Sequence, residues 1–354
     1  MKRKNLALLW SGALLYAVVL SACGAGADAP NVKSTQETHQ EAVWNTERTV
    51  TTAVPSPSTS SLPEPSTSKQ EPDPIQNTVS VESQTLGLSG ISNARQLGGY
   101  VTQDGMRVKQ NILLRTGKLS DGTQEDLDML RDQYAVTEII DFRTTSEIDQ
   151  APDPTIGDAI YRQIHILDEN ADDTGNNKAI VGIYSKMATD PAGAMLEMYR
   201  MGALSEDMYT SMFESQTALD GYRAFVDALL AHDESGALLW HCTGGKDRAG
   251  CAAMITLTLL GVDKETVLQD FALTNEFNRE KIDYMVQGAA ALTDDQTELD
   301  GVAALVGVSR PYMEKVYTLA EQESGTMLDF LKDKLHITDV EIQTLRAKYL
   351  EPIS

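Results

Sequence analysis

Short apolar runs alternate with longer amphipathic stretches over residues 88–354. The β-type runs are Ile112–Leu114, Val136–Ile140, Ala159–Ile164 and Leu238–His241. Apolar residues at helical spacing predict covering helices at Thr123–Tyr134 and Gly221–Ala231. Strands that alternate with helices favour an α/β fold, here a parallel or mixed sheet flanked by helices.

The stretches between and after these elements differ in composition. An apolar, helix-length run from Cys251 to Leu260 stops at Gly261, and Lys264–Gln287 predicts one long helical region. Asp168–Asn177 is a polar loop, whereas Gly182–Met212 is rich in Met and Tyr at helical spacing. The Met- and Tyr-rich segment predicts either a helical lid or cap over a site or ordinary core packing.

The sequence His-Cys-Thr-Gly-Gly-Lys-Asp-Arg-Ala-Gly at 241–250 joins the last predicted strand to the next helix. Free backbone N–H groups and the helix dipole favour an anion at such a turn. A cysteine at a helix N-terminus beside a cation ionises readily, so Cys242 could attack phosphorus. Arg248 could hold two phosphate oxygens with its planar fork. The spacing predicts a phosphate loop (241–250) with a cysteine nucleophile.

Other residues of the phosphate loop suit the same chemistry. Gly244 and Gly245 permit the positive φ values that turn N–H groups inward. Lys246 adds positive charge, and Asp247 could donate a proton to the leaving oxygen. A buried structural cysteine beside a surface Lys-Asp-Arg cluster is the plainer alternative, but strand, glycines, arginine and helix together favour the phosphate loop.

The phosphate loop resembles that of a bacterial tyrosine phosphatase family, which reads His-Cys-x-x-Gly-Lys-Asp-Arg. Further segments resemble the same family, in its order, between about residue 88 and Leu350: Asn93–Tyr100, Leu113–Ser120, Ile139–Thr144, Leu273–Glu276 and Val308–Tyr312. The resemblance implies an enzyme without metal or cofactor. Members act on phosphotyrosine, and some on phosphoserine, phosphothreonine or phosphoinositides.

The resemblance also implies roles for single residues, with Cys242 as nucleophile and Arg248 as clamp. The residues expected to contact the phosphate are Thr243, Gly244, Gly245, Lys246, Ala249 and Gly250. Three more residues are expected to support them, namely His241, Arg95 and Arg143. Lys246, four residues after the cysteine, resembles the arrangement in phosphatases that accept phosphoinositides.

Two positions depart from the family pattern. Ala249 stands where the family usually has a threonine whose hydroxyl can hydrogen-bond the thiolate, so we expect slower hydrolysis of the phosphoenzyme. Gln96 replaces the usual aspartate of the Asn-x-Arg-Asp-Leu-Gly-Gly segment, which weakens a local hydrogen-bond arrangement. Neither change alters the nucleophile or the clamp.

The general acid has two candidates. Asp247 is nearest the phosphate, although Lys246 and Arg248 favour its ionised form, which cannot donate. A bound dianionic phosphate would offset that effect. Asp141 follows the Val136–Ile140 strand, where an α/β sheet presents catalytic groups, and could share the work, orient Arg248 or cap the next turn. The loop aspartate is the usual candidate in the related enzymes, so we favour Asp247.

The N-terminal residues predict an anchor. Lys2–Lys4 precede an apolar run from Leu6 to Leu20, and Cys23 follows Leu-Ser-Ala. This is typical of a lipoprotein signal peptide over 1–22 with an acylated Cys23, because a transmembrane helix would need about 20 apolar residues. Seven of the twelve prolines lie within the next segment, 23–87, which predicts a disordered stalk. Residues 88–354 would then be a phosphatase domain on the outer face of a bacterial membrane.

Composition limits the partners. The formal net charge is −23, without a basic patch for nucleic acid. Besides Cys23 there are only Cys242 and Cys251, which excludes a disulfide framework, and Cys251 is expected to be a small buried apolar residue. The histidines show no metal-ligand spacing. We expect a monomer whose partners are a phosphorylated protein or phosphoinositide substrate and, through the lipid, a membrane.

Two alternatives from other classes remain open. A rhodanese-type sulfurtransferase also uses a loop cysteine but normally lacks a residue like Arg248, and a thiosulfate assay separates it. A non-catalytic phosphate-binding module on a surface lipoprotein has Ala249 as its one hint. Release of phosphate from an aryl phosphate, abolished by Cys242→Ser, separates the enzyme from the binding module.

Overall fold

The computed structural model describes residues 77, 79–168, 186 and 189–353 of the 354-residue chain. The predicted signal peptide (1–22), the predicted lipidation residue Cys23 and most of the stalk lie outside the described residues. So do most of the polar loop 168–177 and the beginning of the Met- and Tyr-rich segment. Among the described helices, none is both long enough and apolar enough to cross a membrane.

The folded domain begins before residue 88. Asn77 Nδ2 donates to the carbonyl of Val101 at 3.1 Å. Gln84, at the end of a short helix, is buried, and so is Leu86. The last residues of the segment that the proline count assigns to the stalk therefore pack against the domain.

The strands are short and the helices vary in length. The strands are β1 (Arg95–Gln96), β2 (Met106–Val108), β3 (Leu113–Thr116), β4 (Val136–Asp141), β5 (Ile160–Gln163), β6 (Ala237–His241) and β7 (Leu350–Pro352). Among the described residues, the α-helices before β6 are α1 (Val81–Gln84), α2 (Gln124–Asp128), α3 (Thr145–Gln150), α4 (Pro191–Arg200), α5 (Met208–Ser211) and α6 (Gln216–Ala231). After β6 come α7 (Arg248–Leu260), α8 (Lys264–Phe277), α9 (Arg279–Ala290), α10 (Gln296–Val306), α11 (Arg310–Ser324), α12 (Met327–Leu335) and α13 (Asp339–Tyr349).

Five strands form one sheet in the order β1-β3-β6-β4-β5. β3, β6, β4 and β5 run parallel, and β1 is antiparallel to β3. β2 and β7 pair separately. The predicted fold class, an α/β fold with a parallel or mixed sheet flanked by helices, is confirmed, and the sheet is mixed and mostly parallel.

Both faces of the inner strands β3, β6 and β4 are buried, which is why these strands read as continuous apolar runs, whereas the edge strand β5 is largely exposed. Along β6, Leu238 and Trp240 belong to the larger core cluster, with α6 and α7. Ala237 and Leu239 belong to the smaller cluster on the other face. This alternation follows the two-residue period of a strand.

Several boundaries differ from the prediction. The region Lys264–Gln287 is two helices, because the chain bends at Asn278, whose φ of −106° and ψ of 14° end α8 and begin α9. The predicted helix Thr123–Tyr134 is α2 followed by a π-type turn at Met129–Gln133. The helix of the phosphate loop begins at Arg248 rather than at Cys251. It ends at Gly261, whose φ of +91° suits glycine.

The sheet brings three strand ends to one edge. Thr116 at the end of β3 and Asp141 at the end of β4 are both in register with His241 at the end of β6. The phosphate loop continues directly from His241. It therefore lies at the carboxyl edge of the parallel strands, where α/β sheets place their sites.

Candidate active site

The phosphate loop is buried along its whole length. Cys242 is 2% exposed, and residues 241–250 are all buried. Gly245 has φ +62°, and a Cβ there would overlap the carbonyl oxygen of Thr116, so this position requires glycine. Gly244 does not have the positive φ that the sequence predicts.

Several carbonyls of the loop are held from outside. Thr243 O accepts the backbone N–H of Lys118 at 3.1 Å. Arg248 O accepts Tyr222 Oη at 3.3 Å, and Ala249 O accepts Trp240 Nε1 at 3.1 Å. Each outward carbonyl turns the N–H of the following residue to the opposite side, because the peptide unit is planar and trans. Such an arrangement suits an anion on the concave side.

Arg248 forms a bidentate ion pair with Glu147. Its Nη1 donates to Glu147 Oε2 at 2.7 Å and to the carbonyl of Phe142 at 3.0 Å, and its Nη2 donates to Glu147 Oε1 at 2.8 Å. A guanidinium has five N–H hydrogens. Among the described residues, these contacts leave Nε–H and one Nη2–H, which lie on the same edge and match two oxygens of a phosphate.

Glu147 is a site residue that the sequence analysis missed. Its carboxylate also accepts Thr243 Oγ1 and, at 2.8 Å, the backbone N–H of Thr144. Burial disfavours the charge of Glu147, but Arg248 outweighs it and holds the pKa below its usual range. The same ion pair raises the pKa of Arg248 against the effect of burial. Thr144-x-x-Glu147 is readable as a capping box, which predicts the start of α3 but not the contact with Arg248.

Asp247 contacts the Met- and Tyr-rich segment. Its Oδ1 accepts Tyr209 Oη at 2.8 Å, and both side chains are buried. Tyr209 lies on α5, and its ring packs edge-on against Phe271 at 5.2 Å. The described methionines of α4 and α5, such as Met195 and Met208, belong to the larger core. This segment therefore supplies core packing and also one contact to the site.

Asp141 is engaged as an acceptor. It takes bonds from Arg143 Nη2 at 2.7 Å and from Tyr161 Oη at 2.7 Å, and it is completely buried. Burial disfavours its charge, but His241 and Arg143 hold the pKa of Asp141 well below its usual range. A carboxylate so firmly ionised is poorly suited to donate a proton.

His241 completes a buried charge cluster with Asp141, Arg143 and Asp153. Its Nε2 lies 3.0 Å from Asp153 Oδ2, and its Nδ1 lies 3.4 Å from Cys242 O. Burial lowers the pKa of His241, but Asp141 and Asp153 raise it more. The two carboxylates and the imidazole of His241 lie close enough together to hold a metal ion. However, the Arg143 guanidinium lies 2.7 and 2.6 Å from the two carboxylates and already supplies a cation.

The ammonium group of Lys246 contacts the end of α10. Its Nζ donates to the carbonyl of Leu305 at 2.6 Å and to that of Gly307 at 2.9 Å. The side chain is 1% exposed, and burial lowers its pKa to about 8. A cation is favourable at a helix C-terminus, so the contact with α10 accounts for the place of the Lys246 ammonium group.

The remaining predicted residues lie around the loop. Cys251 is buried on α7 with its Sγ 3.8 Å from Met212 Sδ, and burial raises its pKa to about 12. A Cβ at Gly250 would lie 3.2 Å from Arg115 Nη2, so α7 and the arginine pack closely. Arg95 lies behind the loop and contacts Asp270 at 3.2 Å.

Known phosphatases resemble the chain over most of its described residues. A family model described as the tyrosine phosphatase family matches residues 86–351. A Cupriavidus necator protein named as a candidate tyrosine-protein phosphatase is 27% identical over 271 residues, which is 75% of this chain and 88% of that protein. The triple specificity protein phosphatase PtpB of Mycobacterium tuberculosis is 22% identical over 264 residues, 70% of this chain and 92% of its own. A tyrosine-protein phosphatase of Nostoc commune is 27% identical over 173 residues, 48% of this chain and 50% of its own.

Proposed function

The chain belongs to the tyrosine phosphatase family and is a phosphatase, and from this premise we propose that it hydrolyses phosphotyrosine through a phosphocysteine on Cys242. The observation that carries the proposal is that one buried phosphate loop holds both Cys242 and Arg248, whose guanidinium is fixed by Glu147. Arg248 has one edge fixed by Glu147 and the other available to a phosphate. A guanidinium that is already held in place can stabilise the charge that develops on the phosphoryl oxygens in the transition state.

The proposed reaction has two steps. The Cys242 thiolate attacks phosphorus, the bond from phosphorus to the phenolic oxygen breaks, and Asp247 gives its proton to that oxygen. Water then attacks the phosphocysteine, Asp247 takes a proton from the water, and the thiolate leaves with inorganic phosphate as product. Arg248 and the loop amides would stabilise the charge on the phosphoryl oxygens in both steps. Ala249 offers no hydroxyl to the thiolate, so the second step is expected to be the slower one.

Asp247 is the better candidate for the acid. It sits in the loop beside the clamp, and its single described partner, Tyr209 Oη, can stay bound while the other oxygen faces a substrate. Asp141 is held instead by Arg143 and Tyr161. We assign Asp141 a positioning role, through the buried charge cluster that contains His241.

Phosphotyrosine is the first substrate class to test. The mycobacterial relative is named a triple specificity phosphatase, so phosphoserine and phosphothreonine peptides belong in the panel. A phosphoinositide headgroup would gain from a cation at Lys246, but its ammonium would have to leave the carbonyls of Leu305 and Gly307. We therefore place phosphoinositides after phosphoproteins.

The location is a separate proposal. The N-terminal pattern around Cys23 supports a lipid anchor and an extracytoplasmic domain, as expected from the signal-peptide pattern. Incorporation of labelled fatty acid into the full chain, lost in Cys23→Ser, is the expected result. Equal labelling of both proteins would contradict the anchor.

Phosphate release from an aryl phosphate and from a phosphotyrosine peptide tests the activity. Cys242→Ser is expected to abolish phosphate release. Cys251→Ser is the control, because Cys251 is also a buried cysteine but has no part in the proposed chemistry, and this variant should retain phosphate release. Retained release in Cys242→Ser would exclude the phosphocysteine. Sulfur transfer from thiosulfate without phosphate release would favour the sulfurtransferase, and phosphate binding without turnover would favour the binding module.

A further inference from the structure

The carbonyl of Gly245 is held by two buried donors behind the phosphate loop. Asn93 Nδ2 and Arg115 Nη2 each donate to it at 2.8 Å. Asn93 is 2% exposed and Arg115 is 0% exposed. Both donors come from segments that are distant in sequence from the loop, so the contact is made only in the folded domain.

The two donors are themselves fixed by Asp270 and Arg95. Arg115 Nη1 lies 3.0 Å from Asp270 Oδ2, and Arg95 Nε lies 3.2 Å from Asp270 Oδ1. Arg95 also donates to Asn93 Oδ1. Asn93 has φ +54°, a conformation that asparagine tolerates better than most residues. The arrangement defines the Gly245 clamp, which consists of Asn93, Arg95, Arg115 and Asp270.

We propose that Asn93 and Arg115 are positioning residues that set the Gly245–Lys246 peptide with its N–H towards the phosphate, an inference that rests on the proposed function of the loop. The described backbone contains no cis peptide bond. With the carbonyl of Gly245 directed at the clamp, the N–H of Lys246 points to the opposite, concave side of the loop. The positive φ of Gly245 makes this orientation accessible, and the two donors select it.

The clamp also carries charge. Two guanidinium groups share one carboxylate, so Arg95, Arg115 and Asp270 together have a formal charge of about +1 in a buried place. Burial and the neighbouring Arg95 lower the pKa of Arg115 to about 10, which still leaves it charged at neutral pH. Excess positive charge behind a loop that binds a dianion acts in the same direction as the oriented N–H.

A merely structural role is the alternative, because the same contacts join β1 and β3 to α8. The two roles differ in what a mild variant would change. Asn93→Asp keeps the shape, the tolerance for positive φ and the acceptor for Arg95, but places a carboxylate oxygen against the Gly245 carbonyl. It also balances the two arginines, so a structural role predicts unchanged or higher stability and unchanged anion affinity.

The test is calorimetric titration with tungstate, a tetrahedral oxyanion like phosphate, on wild type, Asn93→Asp and Arg115→Met. Lys348→Met is the matched control, because Lys348 Nζ also donates to a backbone carbonyl, that of Leu230 at 2.7 Å. We expect tungstate affinity to fall about 10- to 100-fold in Arg115→Met, which loses a charged donor, and about tenfold in Asn93→Asp, which loses a neutral donor and gains a negative charge. Affinity should stay constant in the control. Thermal unfolding of Asn93→Asp should match wild type.

The outcomes separate this inference from the proposed function. If folded Asn93→Asp binds tungstate with an affinity within twofold of wild type, the proposed positioning role of the Gly245 clamp is overturned, whatever the affinity of Arg115→Met. Weakened affinity in an enzyme that never hydrolyses aryl phosphates keeps the clamp and removes the proposed function. Failure of wild type to bind tungstate overturns both.

Discussion

The ion pair between Glu147 and Arg248 offers the most informative single substitution. Glu147→Gln keeps the size of the side chain and removes its charge. The carboxylate now accepts two bonds from Arg248, one from Thr144 N and one from Thr243 Oγ1. The glutamine retains one acceptor oxygen, and in either orientation its amide N–H₂ faces one nitrogen of Arg248 together with Thr243 Oγ1 or Thr144 N. Arg248 then keeps its charge without a matched partner.

The expected magnitudes follow from the burial of the pair. Both side chains are 5% exposed, and removing one partner of a buried ion pair costs about 3–5 kcal/mol of unfolding free energy. With Arg248 no longer held in place, kcat should fall by about 10²- to 10³-fold, the usual cost of losing one preorganised donor. Arg248 is proposed to stabilise charge that develops in the transition state. Most of the catalytic loss should therefore appear in kcat rather than in KM.

The stability effect has a defined pH window. The folded-state pKa of Glu147 lies below its ordinary value of 4.5, so its stabilising charge is fully present above about pH 4.5. It is lost as the pH falls further, through the folded pKa. Chemical denaturation of wild type and Glu147→Gln should therefore differ most above pH 4.5 and converge in more acidic buffer.

A bidentate arginine–glutamate pair that is more exposed provides the control. Arg200 and Glu298 form a bidentate contact at 2.6 Å on the surface. Glu298→Gln should leave activity unchanged and stability nearly so, because exposed pairs contribute little. A Glu147→Gln enzyme with kcat/KM within threefold of wild type would refute the reasoning that Glu147 holds Arg248 in place.

Three further predictions concern the phosphate loop. Asp247→Asn should slow hydrolysis of alkyl phosphates and phosphotyrosine while sparing activated aryl phosphates, and equal losses on both would remove Asp247 from the acid role. Gly245→Ala should abolish activity and tungstate binding together, because the Cβ meets Thr116; a normal enzyme would contradict the loop geometry. The pKa of Lys246 is lowered to about 8 from 10.5, so the cost of its buried charge disappears as the pH rises between these values. Wild type should gain up to about 3 kcal/mol of unfolding free energy over that range relative to Lys246→Met, and parallel pH curves would refute this.

Local patterns in the sequence predicted most of the sheet and the loop. The buried strands β4 and β6 appear as apolar runs because both of their faces are covered. The turn from β6 into α7 was visible because strand, glycines and helix follow one another along the chain. Asn278 escaped prediction, since the apolar period continues across it while only its backbone angles change.

The contacts that complete the site could not be read from the sequence. Glu147 on α3 and Tyr209 on α5 contact the loop directly, and Asp270 on α8 acts on it through Arg115. Nothing in their own segments indicates these partners. Lys246 shows the same limit in reverse. Its place in the motif suggested a phosphate contact, whereas the end of α10 provides carbonyls that only the folded chain brings near.

The phosphocysteine is the intermediate on which the proposed mechanism depends. Wild type should be mixed with a phosphotyrosine peptide, quenched in acid within one turnover and digested for mass spectrometry. We predict one added phosphoryl group on the peptide that contains Cys242, enriched by the slow second step expected from Ala249 and absent in Cys242→Ser. Phosphate release at full rate with no phosphoryl group on Cys242 at any quench time would contradict the account.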